Sequence, residues 1–139
     1  MTAIKTNVGS SLMRFVFTDE EEKTIASFRM NPADVKLAHR CQEVISFFEN
    51  LENQTTAETT LEEAVKFNDE VEEKICYLLG YDARQSLFGF ISATAIMGTG
   101  ELFATIIMDK ILEHILPEIQ KRKQSVAETV RKYTDKYTK

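Results

Sequence analysis

The sequence predicts a mainly α-helical single domain, and two observations carry that prediction. At 139 residues the chain has the length of one domain. Its longest patterned stretches repeat apolar residues every three or four positions, which is typical of helices with one buried face. We therefore expect a helical bundle with a short N-terminal strand and a long kinked C-terminal helix. Its parts are a flexible arm over 1–11, a helical domain over 12–119 and a basic helical arm over 120–139.

The first elements are assigned from alternation and from helix-cap signals. The segment LMRFVF at Leu12–Phe17 alternates apolar and β-favouring residues, which predicts a short strand. A lone strand is unstable, so it needs a partner, such as a second copy of the chain. Thr18 and Glu21 match the spacing of a capping box, and this predicts a helix over 18–30.

Two longer helices follow. Asn31 as the N-cap and Pro32 at the first helical position predict a helix over 32–53. Thr60 with Glu63 forms a second capping box, and Gly80 suits the position just after a helix, so the next helix is expected over 60–79. The apolar stripes of these helices are Leu37, Cys41, Val44, Ile45, Phe48 and Leu51, and then Leu61, Ala64, Val65, Val71, Ile75, Leu78 and Leu79.

The stretch from Tyr81 to Glu101 is interpreted as a buried connector. Asp82 predicts a short helix over 82–89, and Thr99 is expected to cap the following helix. The apolar part between them is expected to run over the core. The run from Leu87 to Gly100 is too short and too interrupted by glycine to span a bilayer.

The last helix is expected over 100–137, with a kink at Pro117, because proline removes a helical hydrogen bond. Before the proline the helix is apolar around most of its circumference. This pattern predicts burial on two sides, by the chain's own helices or by another subunit. After the proline only a narrow apolar seam remains on a charged helix.

Charge is distributed unevenly along the chain. The net charge is −5, yet residues 120–139 hold seven basic and two acidic residues, so an arm of +5 follows a body of −10. We interpret the arm as a binding surface that docks on its own body, on another copy or on an acidic partner. The acidic body argues against nucleic-acid binding. Candidate partner-binding residues are Val126, Val130, Tyr133 and Tyr137 of the seam, and the basic Lys121, Arg122 and Lys123.

No pattern in the sequence predicts catalysis, a cofactor or a metal site. Gly98-Thr99-Gly100 lacks the other positions of a phosphate-binding loop. His39 and His114 are expected at the surface or at a boundary, neither in a ligand pair. The acidic residues of the helix over 60–79 are interpreted as a solvated face, and they are Asp69, Glu70, Glu72 and Glu73.

Three further polar or thiol groups lie on apolar helix faces. Cys41 and Cys76 are expected to be buried, reduced thiols of a cytosolic protein, with a cross-helix disulfide as the alternative. Asn68 is interpreted as a satisfied buried amide, and the alternative is a specificity device at a helix interface.

Four segments occur in a recognisable order, and together they cover Arg14 to about Lys123. They are RFVFTDEEEKT, LEEAVKFNDEVEEKICYLLGYD, QSLFGFISATAIM and a long helix ending LPEIQKRKQ. This order resembles small proteins from the tail-morphogenesis region of bacteriophages and prophages of Gram-positive hosts, which are similar to phage tail assembly chaperones. The matching features are helix caps and apolar patterns, and none is a catalytic signature.

The resemblance implies a non-enzymatic factor that keeps tape-measure or tail-tube protein soluble in the cytoplasm of an infected bacterium. Two other classes remain open. One is a virion structural component such as a connector or neck protein. The other is a small phage-encoded inhibitor of a host enzyme, whose acidic helical surface mimics nucleic acid.

Overall fold

The computed structural model describes residues 2–9, 11–51, 60–121 and 124–137, and it is mainly α-helical, as the sequence predicts. Within these residues a β-hairpin precedes five helices. The helix α4 packs against α1, α2 and α5. The elements are β1 (Met13–Thr18), β2 (Thr24–Met30), α1 (Val35–Glu49), α2 (Leu61–Leu79), α3 (Arg84–Phe88), α4 (Phe103–Gln120) and α5 (Gln124–Tyr137).

The turn between β1 and β2 shows that the predicted helix over 18–30 is wrong. The Asp19 Oδ1 atom accepts hydrogen bonds from the backbone N–H groups of Glu21 and Lys23, at 2.8 and 3.0 Å. Glu22 takes a left-handed conformation with φ +64°. An aspartate that binds the backbone just after it favours a turn over a helix. The acidic run is therefore a hairpin turn and not a first helical turn.

The predicted strand near 12–17 is confirmed as β1, and its partner is β2 of the same chain. The strands are antiparallel, with Phe15 opposite Phe28 and Phe17 opposite Ala26. Phe15 stacks on Phe28 with ring centroids 4.8 Å apart. Burial along β2 alternates, which places one face of the hairpin on the helices.

The helix α1 begins three residues later than expected. Asn31 does not cap it, because its Oδ1 atom accepts a hydrogen bond from the N–H of Ala33 at 3.0 Å and forms a local turn. Asp34 is the N-cap, and its side chain accepts from the N–H of Lys36 at 2.9 Å. Pro32 therefore lies in the turn before the helix.

The helix α2 confirms both of its predicted caps. The Thr60 hydroxyl accepts a hydrogen bond from the N–H of Glu63 at 3.2 Å, and Gly80 takes a left-handed conformation with φ +83°. Burial, however, begins only at Val71 among the stripe residues. Leu61 and Val65 are exposed, so the first turns of α2 lie outside the core that the described residues form.

The connector after α3 is held to α2 by two side chains one helical turn apart. The Asn68 Oδ1 atom accepts from the N–H and the hydroxyl of Thr94, both at 3.0 Å. The Glu72 Oε2 atom accepts from Asn68 Nδ2 at 2.8 Å and from the N–H of Ala93 at 3.3 Å. Asn68 is thus a satisfied amide, as predicted, but it is half-buried and not buried. Glu72 is buried, which corrects its assignment to a solvated face.

The connector also caps α4, which corrects the role expected for Thr99. The carbonyl groups of Ala93 and Ala95 accept hydrogen bonds from the N–H groups of Ala104 and Phe103, at 2.8 and 2.9 Å. Four N–H groups at the start of a helix lack hydrogen-bond partners within the helix, and here two of those in α4 are satisfied by backbone carbonyls of the connector. Thr99 lies in a tight turn closed by Gly100 at φ +89°.

The connector is less buried than the sequence suggests. Ala93 is in the core, but the side chains of Phe90 and Ile96 point into solvent. The short helix α3 is confirmed at Arg84–Phe88, and Asp82 accepts a hydrogen bond from the N–H of Arg84 at 3.2 Å.

The predicted single helix over 100–137 is two helices. The helix α4 continues through Pro117 to Gln120, and α5 begins at Gln124 and packs against both α4 and α1. The kink at Pro117 stays a prediction. Most of the apolar circumference of α4 is covered by the chain's own elements, including an edge-to-face contact of Phe103 with Phe17 at 5.3 Å, while Ile106 and Leu116 are half-buried.

The core joins the hairpin to the helices in one cluster. Six residues are expected from their spacing to be buried together, and five of them are: Phe48, Ile75, Leu78, Ile107 and Ile111. The sixth, Phe88, is only half-buried and packs against this cluster. Among the described residues no helix is long and apolar enough to cross a bilayer.

Candidate functional site

A cleft of about 640 Å³ opens between α1, α2 and the end of α4. The first half of α1 forms one wall and Tyr77 of α2 forms another. Val35 and Tyr77 are 53% and 46% exposed, so each presents apolar surface to solvent. The described residues that line the cleft include Pro32, Val35, Ala38, His39, Arg40, Glu43, Tyr77, Glu118 and Ile119.

Three polar side chains meet beside the cleft, Tyr77 from α2 and His39 and Glu43 from α1. The Tyr77 Oη atom donates to Glu43 Oε1 at 2.8 Å, and His39 Nδ1 lies 3.4 Å from the same oxygen. The hydrogen bond to Glu43 raises the pKa of the Tyr77 phenol above its ordinary value, because it stabilises the protonated phenol beside a carboxylate.

Arg40 is fixed to the end of α2 beside this group. Its Nε atom donates to the carbonyl of Leu78 at 2.9 Å, which satisfies one of the last carbonyls of the helix. The guanidinium lies so close to Gly80 that a Cβ atom there would come within 2.7 Å of Arg40 Nη2. Gly80 is therefore favoured by its left-handed backbone, and a side chain there would displace the guanidinium of Arg40.

Neither thiol is suited to act as a nucleophile. Both cysteines are free, so the alternative of a cross-helix disulfide is wrong for this structure. Burial raises the pKa of Cys41 to about 12. Cys76 is half-buried and not buried as expected. Its partial burial also raises its pKa, although a backbone hydrogen bond from Ala83 opposes this. The thiolate is the reactive form, and both environments disfavour it.

The acidic side chains that the structure describes do not gather into a metal centre. In the part of the chain that the structure describes, no group of three or more histidine, cysteine, aspartate or glutamate residues could hold a metal ion. Asp69, Glu70 and Glu73 point into solvent along α2. The Nζ atom of Lys74 lies 5.7 Å above the ring of Phe47.

The partner-binding residues predicted near the C-terminus fall into three groups. Val130 and Tyr133 are buried in the core, because α5 packs against α1 and α4. Lys121 is exposed, and its Nζ atom lies 3.8 Å from Glu118 at the rim of the cleft. Val126 and Tyr137 belong to α5, but their side chains lie outside the described part, as do Arg122 and Lys123.

This burial changes how the apolar seam of α5 is understood. Docking on the chain's own body was one of the three alternatives for it, and the structure shows that arrangement for Val130 and Tyr133. Their role in binding a partner stays a prediction, and it would require α5 to leave α1 and α4.

The cleft itself was not predicted from the sequence. His39 was expected without a ligand partner, yet Glu43 lies four positions further on and one helical turn away. That spacing is the local signal that could have indicated the pair. Tyr77 is 34 positions from Glu43, so only the packing of α1 against α2 brings them together.

Comparisons with known proteins give no match: no family model, no curated protein and no solved structure is significantly similar to the chain.

Proposed function

We propose that the protein is a non-enzymatic phage assembly factor of the tail-assembly-chaperone type, which binds tape-measure or tail-tube protein in the host bacterial cytoplasm. The ordered segments between Arg14 and about Lys123 support this proposal through their resemblance to such proteins. The cleft beside α1 carries it structurally, because it offers apolar surface to a partner.

The size and composition of the cleft suit a segment of another protein. Its volume is about 640 Å³, and it is open to solvent along α1. Exposed apolar surface with a polar rim is typical of interaction sites. Val35, Ala38 and Tyr77 supply the apolar part, and they would cover a few side chains of an amphipathic helix or an extended segment.

Charges of both signs surround the apolar surface. Lys36, Arg40 and Glu43 line the cleft from α1, and Glu118 lines it from α4. Rim charges contribute mainly to orientation and association rate, while apolar contacts contribute most of the affinity. A bound segment would therefore be oriented by its own charges.

The proposal is tested by co-purification from infected or co-expressing cells. Val35→Glu places a carboxylate in the cleft, and Val65→Glu is its control, because both valines are helical and both are 53% exposed. We expect tape-measure or tail-tube protein to co-purify with the wild type and with Val65→Glu, and to be lost with Val35→Glu. Failure of the wild type to capture either protein would contradict the proposal.

Purified virions separate this proposal from a structural role. An assembly factor should be absent from mature particles, whereas a connector or neck protein should be present in fixed copy number. Recovery of the chain from washed particles would favour the structural component.

A second candidate, an inhibitor of a host enzyme, is favoured by the acidic face of α2. Glu62, Glu63, Glu70 and Glu73 are all exposed. An exposed row of carboxylates can bind the basic surface with which a host enzyme holds nucleic acid, and so take the place of the nucleic acid. Changing these four residues to glutamine should abolish such inhibition and leave capture by the cleft intact.

A further inference from the structure

The outer edge of β1 has no strand beside it among the described residues. In an antiparallel pair, residues alternate between hydrogen-bonded and non-hydrogen-bonded positions. The N–H of Arg29 donates to Tyr81 Oη at 2.9 Å, so this N–H points away from β1. Arg29 and the residue opposite it in β1, Arg14, therefore form a non-hydrogen-bonded pair. The N–H and C=O groups of Arg14 and Val16 therefore point away from β2.

The inner face of β1 is also incompletely covered. Met30, Phe28 and Ala26 of β2 are buried. Opposite them, Phe15 and Phe17 are half-buried and Met13 is 39% exposed. A two-stranded hairpin is marginally stable by itself. A third strand beside β1 would cover these side chains and satisfy the outward backbone groups.

The segment Thr2–Val8 has the pattern of such a strand. Every second residue is β-branched, and these residues are Thr2, Ile4, Thr6 and Val8. In an extended chain they share one face, and β-branched residues favour strands. Ile4 and Val8 are 92% and 89% exposed, so they contact almost nothing in their own chain. Seven residues span about 23 Å and six about 20 Å, so the segment matches β1 in length.

The turn chemistry argues against pairing of this segment with β1 of its own chain. A two-residue loop at Gly9-Ser10 would make Val8–Ser11, Thr6–Met13 and Ile4–Phe15 the hydrogen-bonded pairs. The backbone groups of Met13 and Phe15 already point to β2, as the alternation above requires. The left-handed residue is Gly9 at φ +69°, and a three-residue loop that ends there would pair Thr2 with Arg14, so the segment would reach only the first residues of β1 and would leave the edge at Val16 open.

A hydrogen bond also fixes the position of Ser11, the residue just before Leu12 and β1. Its hydroxyl donates to Asn31 Oδ1 at 2.6 Å, next to the end of β2. A second copy needs no turn, because its segment can approach the edge in any register. We infer that Thr2–Val8 of one copy adds to the β1 edge of a second copy, and that two copies exchange these strands around a two-fold axis. This inference does not depend on the proposed function.

One variant alters the edge and another alters the donated strand. Val16→Pro removes an N–H that points away from β2, so it blocks the added strand without removing a β1–β2 hydrogen bond. Ile4→Asp alters the donated strand at an exposed residue. Ile96→Asp is the control, because Ile96 is exposed elsewhere at 75%. Circular dichroism checks that Val16→Pro folds, and Arg14→Pro is the second edge variant should it not.

Sedimentation velocity over a concentration series measures the result. We expect a wild-type dimer, a dissociation constant about tenfold or more higher for Ile4→Asp and Val16→Pro, and no change for Ile96→Asp. A wild type that is monomeric at every concentration overturns the inference. So does a dimer that Ile4→Asp leaves unchanged.

Mixing the two variants tests whether the strand is donated between copies. The Ile4→Asp chain keeps an intact edge and the Val16→Pro chain keeps an intact segment. We therefore expect differently tagged variants to form a mixed dimer with one exchanged strand, although each alone is largely monomeric. Absence of the mixed dimer overturns the inference.

Discussion

Tyr77 Oη lies 2.8 Å from Glu43 Oε1, and this hydrogen bond joins α2 to α1 at the wall of the cleft. It orients the exposed ring of Tyr77 towards the surface that we assign to a partner. His39 approaches the same carboxylate, so Glu43 is the centre of the group.

The first prediction concerns the ionisation of Tyr77. Because Glu43 stabilises the protonated phenol, it raises the pKa of Tyr77. Glu43→Ala should bring that pKa down towards its ordinary value. The NMR shift of labelled Tyr77 Cζ, followed through alkaline pH, measures the change. Glu62→Ala, an exposed position elsewhere, is the control, and equal titration in all three proteins would contradict the assignment.

The second prediction tests the centre of the core. Ile107 is fully buried in α4, so Ile107→Ala leaves a cavity and should lower the free energy of unfolding by about 2–5 kcal/mol. Ile96→Ala, at an exposed isoleucine, should change it by less than about 0.5 kcal/mol. Urea unfolding measures both. A loss of less than about 1 kcal/mol for Ile107→Ala, half of the lower bound, would mean that this residue is not packed as described.

The third prediction treats the C-terminal helix as part of the core, whereas the sequence suggests a separate binding arm. Tyr133 is buried, so Tyr133→Ala should cost about 2–5 kcal/mol, whereas Lys132→Ala on the exposed side of α5 should cost little. Deletion of residues 120–139 should likewise destabilise the body. If the truncated chain is as stable in urea as the full chain, residues 120–139 do not belong to the core and the sequence-based interpretation of a separate binding arm is correct.

The fourth prediction is a pH dependence centred on Asp109. Burial, with a smaller contribution from Glu101, raises the pKa of Asp109 from 3.8 to about 6. The folded chain therefore binds this proton more tightly than the unfolded chain does, so this contribution to stability is lost as the pH rises through that interval. Asp109→Asn should be more stable than the wild type at neutral pH and equal to it at about pH 3.5.

Urea midpoints at the two pH values measure this difference. Asp135→Asn, at an exposed carboxylate of α5, controls for the loss of one negative charge. An Asp109→Asn chain that is less stable than the wild type at neutral pH would show that the carboxylate is favourable in the fold.

The fifth prediction tests the attachment of the connector to α2. Asn68→Ala removes the acceptor for the N–H and hydroxyl of Thr94 and leaves Glu72 with one donor fewer. We expect a loss of about 1–3 kcal/mol and faster hydrogen exchange at the amide of Thr94. Lys66→Ala on the exposed face of α2 is the control. Unchanged exchange at Thr94 would mean that the connector is held by other contacts.

The helix caps show which parts of the fold can be predicted from sequence. The signals of Thr60 and Gly80 predict both ends of α2 correctly, because each cap depends on residues within a few positions. The segment after Thr18 carries two local signals of comparable strength, a capping box and an aspartate-initiated turn. The stacking of Phe15 on Phe28 favours the turn, and that contact forms only when the strands pair.

The cleft is harder to predict because most of it forms only when distant segments pack together. The pair His39 and Glu43 follows helical spacing and was open to sequence analysis. The contribution of Tyr77 depends on how α1 and α2 pack, and that of Glu118 on where α4 ends. The burial of Tyr133 likewise depends on the packing of α5 against α1 and α4, which the apolar pattern of α5 does not indicate.

The backbone cap of α4 has a consequence for how the chain folds. The N–H groups of Phe103 and Ala104 bind carbonyls of the connector, and the connector is itself bound by Asn68 and Glu72. The first turn of α4 thus depends on a connector that α2 holds in place, so we expect these three segments to open and close as one cooperative unit. A fragment that begins at residue 101 would lack these acceptors, and its first turn would fray even though its composition favours a helix.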